Sequence, residues 1–277
     1  EYPLKLYETL VQASFTKSKN PEIVLLTPGI YNSAYYEHSY LAQQMGIDLV
    51  EGIDLIVKNN VVYKKTIEGL QKVDVIYRRV DDDFLDPDVG NSKSVIGVKG
   101  LIKAWKNKNV AIVNAPGCGI ADDKAVYSYV PDMIKYYLNE DPILPNIKTF
   151  ILKNKEDRNY AFENFTNMVF KPVAESGGYG IVIGRNIKKD DRSIIKNNIL
   201  KDPKNFVAQP LISLSTTPTF RKDSIFPRHL DLRPFILSGK ETYVTVGGLT
   251  RVALKRGSTV VNSSQGGGSK DTWVVDA

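Results

Sequence analysis

The 277-residue chain predicts a mixed α/β and α+β fold, a parallel α/β layer followed by a part built on antiparallel sheets. Three observations predict it. Short apolar runs alternate with helix-spaced segments in the first half, as in strand–helix–strand units. Two longer runs, 229–237 and 242–254, alternate apolar and polar residues as antiparallel strands with one wet face do. Before them in chain order, Met168 to Gly184 (MVFKPVAESGGYGIVIG) reads as strand, glycine-rich turn and strand.

In chain order, Glu22–Leu26 is a buried strand that ends at Thr27-Pro-Gly29. Residues 34–45 have helical spacing, with Tyr36, Tyr40 and Leu41 along one side, and Gly46 stops the helix. Short strands are expected at 47–49, 55–57, 61–63 and 73–77. Ligands of parallel sheets lie beyond the carboxyl ends of strands. Two such ends are chemically loaded here, Thr27–Tyr31 and Arg78 to Asp83. A helix at 98–105, a strand at 110–113 and the loop Asn114-Ala-Pro-Gly-Cys-Gly119 follow. Asp122 or Asp123 can cap a helix from Lys124 to Leu138. The breaker-rich stretch 139–145 marks a domain boundary, giving domains 1–145 and 146–277. The second domain carries strands at 149–152 and 206–212, helices at 156–165 and 190–200, a Ser/Thr/Pro loop at 213–224, and the low-complexity segment 262–270.

Composition narrows the function classes. The chain has 37 Lys and Arg against 31 Asp and Glu, a balance of +6 that suits an anionic small ligand and argues weakly for nucleic acid. Its one cysteine, Cys118, excludes an intrachain disulfide and fits a reducing, cytoplasmic setting. With two histidines, a zinc site is not expected. No stretch approaches the roughly 20 apolar residues of a membrane-spanning helix. Both ends read as the interior of a longer protein.

The glycine-rich hairpin carries the chemistry. Without Cβ atoms, the Gly177–Gly180 backbone can approach an anion, and Lys171 at the hairpin base supplies a point charge. The expected anion is a nucleoside triphosphate, and a plain tight hairpin is the rival reading. The lysine precedes the glycines, so this is not a Walker A loop.

Four features line up: Asp122-Asp-Lys-Ala125, Lys171 with its glycine tip, the strand Ala208-Gln-Pro-Leu-Ile212, and the strand His229-Leu-Asp-Leu-Arg-Pro-Phe235. Together with VIYRRVDDDFLDP, NVAIVNAPGCGIADDKAVYSYVP, FKPVAESGGYG, RHLDLRPF and GGLTRVALKRGSTVVNSSQGGGSKDTW, they resemble the circularly permuted ATP-grasp family related to glutathionylspermidine synthetase. The likeness runs from Tyr2 through nearly the whole chain.

The resemblance implies a pre-ATP-grasp-like domain packed on an ATP-grasp domain, with ATP between them. It implies that Lys124 and Lys171 hold the α- and β-phosphates, and that Glu175, Ser176, Gly177, Gly178, Tyr179 and Gly180 form a lid. Gln209 and the Leu211 backbone would meet adenine, Arg233 the transferred phosphoryl group, and Asn262 a loop on the phosphate or substrate side. Arg78, Arg79 and Asp81 would face the substrate, with a solvated charge run as the rival. The implied reaction is ATP- and Mg²⁺-dependent joining of a carboxylate and an amine, small molecules or peptides, through an acyl-phosphate. The alternatives are a non-catalytic nucleotide-binding module and a phosphotransferase. In this family the main metal-binding acidic motif lies upstream of the line matching residues 2–10, which leaves Asp231 as a weak metal candidate.

Overall fold

A computed structural model describes residues 1–174, 180–221, 223–259, 261 and 266–275. The chain forms two compact units. Unit 1 comprises Glu1–Gly119 and Pro234–Val246, and unit 2 comprises Ile120–Arg233 and Gly247–Ala277. The division into compact units falls after Gly119, whereas the boundary expected from the sequence lies near residue 145. The breaker-rich stretch is an excursion within unit 2, because the backbone N–H of Lys124 already bonds to the carbonyl of Val173.

Unit 1 is organised by β1 (Ile23–Leu26), β2 (Asp48–Val50), β6 (Val75–Arg78) and β7 (Ala111–Val113). They form a wholly parallel sheet in the order β2-β1-β6-β7. Every residue of β1 is buried, as strands covered on both faces require. Ile23 and Leu25 pack with α1 (Tyr2–Ala13) and α2 (Tyr35–Met45) on one face. Val24 and Leu26 pack on the other face with Leu85, Val98 and Leu101. Helix α1 is an addition to the expected elements; Leu6 and Leu10, four apart, bury its inner stripe.

Helix α2 forms where expected and ends at Gly46, whose φ of 66° is the left-handed cap conformation. Its buried face is His38, Leu41, Ala42 and Met45. Tyr36 and Tyr40 lie outside that face, 82% and 47% exposed, with their rings stacked on each other. Buried His38 shares a hydrogen bond with the Thr27 hydroxyl at 2.9 Å, just past β1.

Strands β3 (Leu55–Lys58), β4 (Val61–Thr66) and β5 (Gly69–Lys72) make an antiparallel meander. Strand β5 escapes the sequence reading because all four of its residues are exposed and carry no alternation. The short helices α3 (Asp82–Leu85) and α4 (Leu101–Lys106) complete the unit. Buried Asp86 caps α4 from a distance, accepting from the backbone N–H of Gly100 and Ile102 at 3.0 and 2.8 Å.

Unit 2 begins with α5 (Lys124–Tyr127) and α6 (Val130–Leu138). The single helix expected over 124–138 is split because Pro131, in the first turn of α6, cannot continue a helix through residue 127. Next come β8 (Phe150–Ile151), α7 (Lys155–Glu163), β9 (Met168–Pro172), β10 (Val182–Ile183), α8 (Arg192–Lys201) and β11 (Phe206–Pro210). These strands form one sheet in the order β10-β9-β11-β8. Phe150, Phe165, Met168, Phe170, Ile199 and Ala208 make its core with the covering helices.

A second sheet joins β12 (Thr216–Arg221), β13 (Ser224–Ser238), β14 (Thr242–Val252) and β15 (Gly268–Lys270) in that order. Strand β12 occupies part of the expected Ser/Thr/Pro loop. Pro218 is tolerated there because β12 is an outer strand with one unpaired side.

Candidate nucleotide-phosphate site

The expected hairpin exists. Strands β9 and β10 pair antiparallel, with Val182 opposite Phe170 and Ile183 opposite Val169. The lid residues Glu175, Ser176, Gly177, Gly178 and Tyr179 lie outside the described residues, as does Asn262. Gly180, at the return of the hairpin, has a φ of 67° and lies against Pro172.

Side chains alternate across a strand, so β9 has two jobs. Met168 and Phe170 point into the core, while Val169 and Lys171 point to the opposite face. The register sets Val207 opposite Lys171 and Gln209 opposite Val169. On β8, Ile151 lies opposite Val207. This face therefore carries the apolar Val169, Val207 and Ile151, with Lys171 and Gln209 set diagonally among them. Lys171 Nζ donates to Gln209 Oε1 at 2.6 Å, and Gln209 Nε2 donates to Thr149 Oγ1 at 2.8 Å. Gln209 is buried.

Helix α5 delivers the second cation. Asp123 caps it, accepting from the N–H groups of Ala125 and Val126 at 2.7 and 3.0 Å. Lys124 follows the cap, and its Nζ donates to the Val173 carbonyl at 3.2 Å, just beyond β9. Burial lowers the pKa of Lys171, and the nearby Lys124 ammonium lowers it further. Two ammonium groups thus share a half-buried position above one sheet face. A polyphosphate would relieve both strains on Lys171, so the residues fit that group.

The expected adenine contacts are partly engaged within the sheet. The Leu211 N–H donates to the Asn167 carbonyl at 2.8 Å, which leaves its carbonyl as the backbone group for the expected nucleobase contact.

In unit 1, Arg78 and Arg79 diverge. Arg78 is turned inward, its side chain 9% exposed, and braces the loop at 114–119. It donates to the carbonyls of Asn114, Val80 and Ala115 at 2.7, 2.7 and 3.2 Å, and pairs with Asp82 at 2.7 Å. Asp82 in turn accepts from the Gly117 N–H at 3.0 Å. The expected substrate-facing pair is thus split, with Arg78 turned onto this loop. Arg79 is more open and pairs with Glu37 at 2.6 Å and with the Tyr77 hydroxyl at 3.2 Å. Asp81 is exposed at the start of α3.

Arg233 lies on β13, its side chain 58% exposed and 3.5 Å from Asp231. Asp231 is held in a two-pronged pair by Arg251, whose Nε and terminal nitrogen donate to its two oxygens at 3.1 and 2.8 Å. These bonds from Arg251 hold the Asp231 carboxyl below the usual carboxylate range.

A profile described as circularly permuted ATP-grasp type 2 matches residues 1–253. The chain belongs to that family. An uncharacterized protein of Synechocystis sp. is 52% identical over 275 residues, covering 99% of this chain and 57% of that protein. A Frankia casuarinae protein provisionally named glutamate–cysteine ligase 2-2 is 42% identical over 276 residues, covering 98% of this chain and 32% of that protein. The chain spans 57% or less of the length of each of these relatives. Among solved structures, a glutathione synthetase-like effector from Globodera pallida aligns with a TM-score of 0.57 at 11% identity, over 99% of this chain and 60% of that one. That likeness concerns the fold.

Within this circularly permuted ATP-grasp chain, a Mg²⁺ site does not emerge from the acidic residues. Among the described residues, no three His, Cys, Asp or Glu side chains stand together as a metal site. Both oxygens of Asp231, the metal candidate, are bonded to Arg251. Among the described residues, no helix is long and apolar enough to cross a membrane.

The sequence reading passed over three residues. Thr149 orients Gln209, Arg251 fixes Asp231, and buried Arg228 lies over the Phe226 ring while donating to the Leu254 and Pro227 carbonyls. Arg251 had a signal, a cation within an alternating strand that follows an acidic one. Thr149 had none, because its role arises from strand register.

Proposed function

We propose that the protein is an ATP-dependent ligase that joins a carboxylate to an amine through an acyl-phosphate. The observation that carries this reading is the Lys124–Lys171 pair above the β9–β11 face, in a chain of the ATP-grasp family. A carboxylate oxygen attacks the γ-phosphorus, the bond to the bridging oxygen breaks, and ADP leaves. The amine nitrogen then attacks the acyl carbon, the carbon–oxygen bond to phosphate breaks, and the amine proton passes to solvent. No side-chain nucleophile is needed, so the protein's work is positioning and charge neutralisation.

In this reading Lys124 and Lys171 hold the α- and β-phosphates, and residues 175–180 close over them. Arg233 offers its planar fork to the transferred phosphoryl group, and Asn262 lines the same loop system. Arg79 and Asp81 serve the substrate side, while Arg78 positions the loop leading to Lys124. ATP chemistry of this type calls on Mg²⁺ to neutralise phosphate charge. No step is assigned to it here, because the described acidic residues do not form its site. Small carboxylates, amines or peptides are the substrates, and a reducing cytoplasm is the setting that suits a lone Cys118.

The test is calorimetry of MgATP binding to the wild-type chain and to Lys171→Ala. A charge-assisted contact is worth about 1.5–3 kcal/mol, so the variant loses at least about tenfold in affinity. Unchanged affinity overturns the reading. Product analysis with ATP and mixed amino acids or peptides then separates ligation, which yields ADP, phosphate and an amide, from transfer to a stable phosphoproduct.

A further inference from the structure

Unit 1 holds an open groove of about 730 Å³ whose lining includes none of the residues proposed for phosphate binding. Leu55, Ile56 and Val57 of β3 line it together with Gly97, Val98, Lys99, Gly100 and Lys103, Gly100 lying beside Val57. Three consecutive strand residues border this space. Side chains alternate between the two faces of a strand, so three neighbours meet one cavity along the backbone edge. Strand β3 is an outer strand, bonded within its sheet to β4 alone. Such an edge is a template for a further strand.

The charge around the groove points one way. Lys65, Lys99 and Lys103 line it against a single carboxylate, Asp88. Lys65 is fixed at the mouth, its Nζ donating to the Ile53 carbonyl at 2.6 Å. Lys99 reaches into solvent, its side chain 79% exposed and 3.6 Å from Asp88. Ile53, 73% exposed, adds an apolar rim.

We propose that this groove binds an extended peptide segment rich in Asp or Glu, which adds as a strand on the outer edge of β3. The main-chain bonds give the affinity and the alternate side chains the selection, the carboxylates meeting Lys65, Lys99 and Lys103. The volume lies within the 300–1,000 Å³ or so typical of binding clefts. A free phosphate would use the lysines and leave the strand edge and Ile53 uncovered, which is why the geometry favours a peptide. The assignment stands apart from the nucleotide site.

The test uses a fluorescein-labelled peptide of alternating Glu and Val, followed by anisotropy with the full chain and no nucleotide. The peptide binds, and a Lys/Val counterpart does not. The double variant Lys99→Glu/Lys103→Glu weakens binding at least about tenfold through like-charge opposition, while Lys171→Ala leaves it unchanged. Methylating alternate peptide nitrogens also weakens it at least about tenfold, because the added strand loses its main-chain donors. That peptide variant tests the edge without altering the protein. No binding, equal binding of the methylated peptide, or displacement by equimolar tripolyphosphate overturns the proposal; the last result makes the groove a simple anion site.

Discussion

Lys171 and Gln209 sit diagonally on adjacent strands, and the ammonium donates to the amide oxygen at 2.6 Å. Gln209 also donates to Thr149, so one amide fixes both the cation and the start of β8. Gln209→Leu keeps the bulk and removes both bonds. It is expected to destabilise the chain by about 1–3 kcal/mol, read as a lower urea midpoint with an unchanged slope. A midpoint within error of wild type would show that Lys171 is held by other means.

The lowered pKa of Lys171 has a signed consequence. Below its folded pKa the amine is charged in both the folded and the unfolded chain, and the burial penalty is fully present. Between that value and the ordinary 10.5 the unfolded chain binds more protons, so this group makes stability rise with pH. Phosphate binding runs the opposite way, since it needs the ammonium. Nucleotide affinity measured by calorimetry should fall as pH rises through the lowered pKa, before 10.5 is reached. Lys171→Arg, which stays charged, should remove that fall.

Asp231 on β13 and Arg251 on β14 are coupled, their side chains 28% and 11% exposed. The folded carboxyl has a lowered pKa, so its contribution is present above the ordinary 3.8 and is lost as pH falls through the folded value. Asp231→Asn is expected to cost about 2 kcal/mol at neutral pH, because the Arg251 guanidinium loses its charged partner. The variant should also lack the part of the acid-side stability loss that Asp231 is expected to give the wild type in urea titrations below pH 4 or so. An identical acid profile would assign that loss to other carboxylates.

Two glycines separate steric from conformational demand. A Cβ on Gly184 would lie 1.7 Å from the Phe165 carbonyl oxygen, so Gly184→Ala must displace backbone beside the β9–β10 hairpin. Gly46 has open space around it but a φ of 66°. The expected costs are about 3 kcal/mol or more for Gly184→Ala and about 1 kcal/mol for Gly46→Ala, compared by thermal or urea unfolding. The reverse ranking would mean that the Phe165 segment yields easily.

The local chemistry of the chain was legible along its length. The apolar run at 23–26, the glycine after α2, the alternation in β13 and β14, and the lysine beside a glycine turn each carry their signal in neighbouring residues. The motifs led to the family by the same route. Less legible were Thr149, Arg251, the exposed strand β5 and the inward turn of Arg78. Each depends on partners far away in sequence, and for all but Arg251, which sits in an alternating strand, no periodicity encodes them.

What the sequence determined by itself was most of the strands and helices, the family and the candidate lysines, because propensity, patterning and caps act within a few residues. Tertiary structure alone decided which groups are engaged. It turned Arg78 into a brace, tied Asp231 to Arg251, and set Lys171 beside Gln209. Strand register and chain crossings choose those neighbours, and burial then fixes how strongly each charge depends on the partner it has been given.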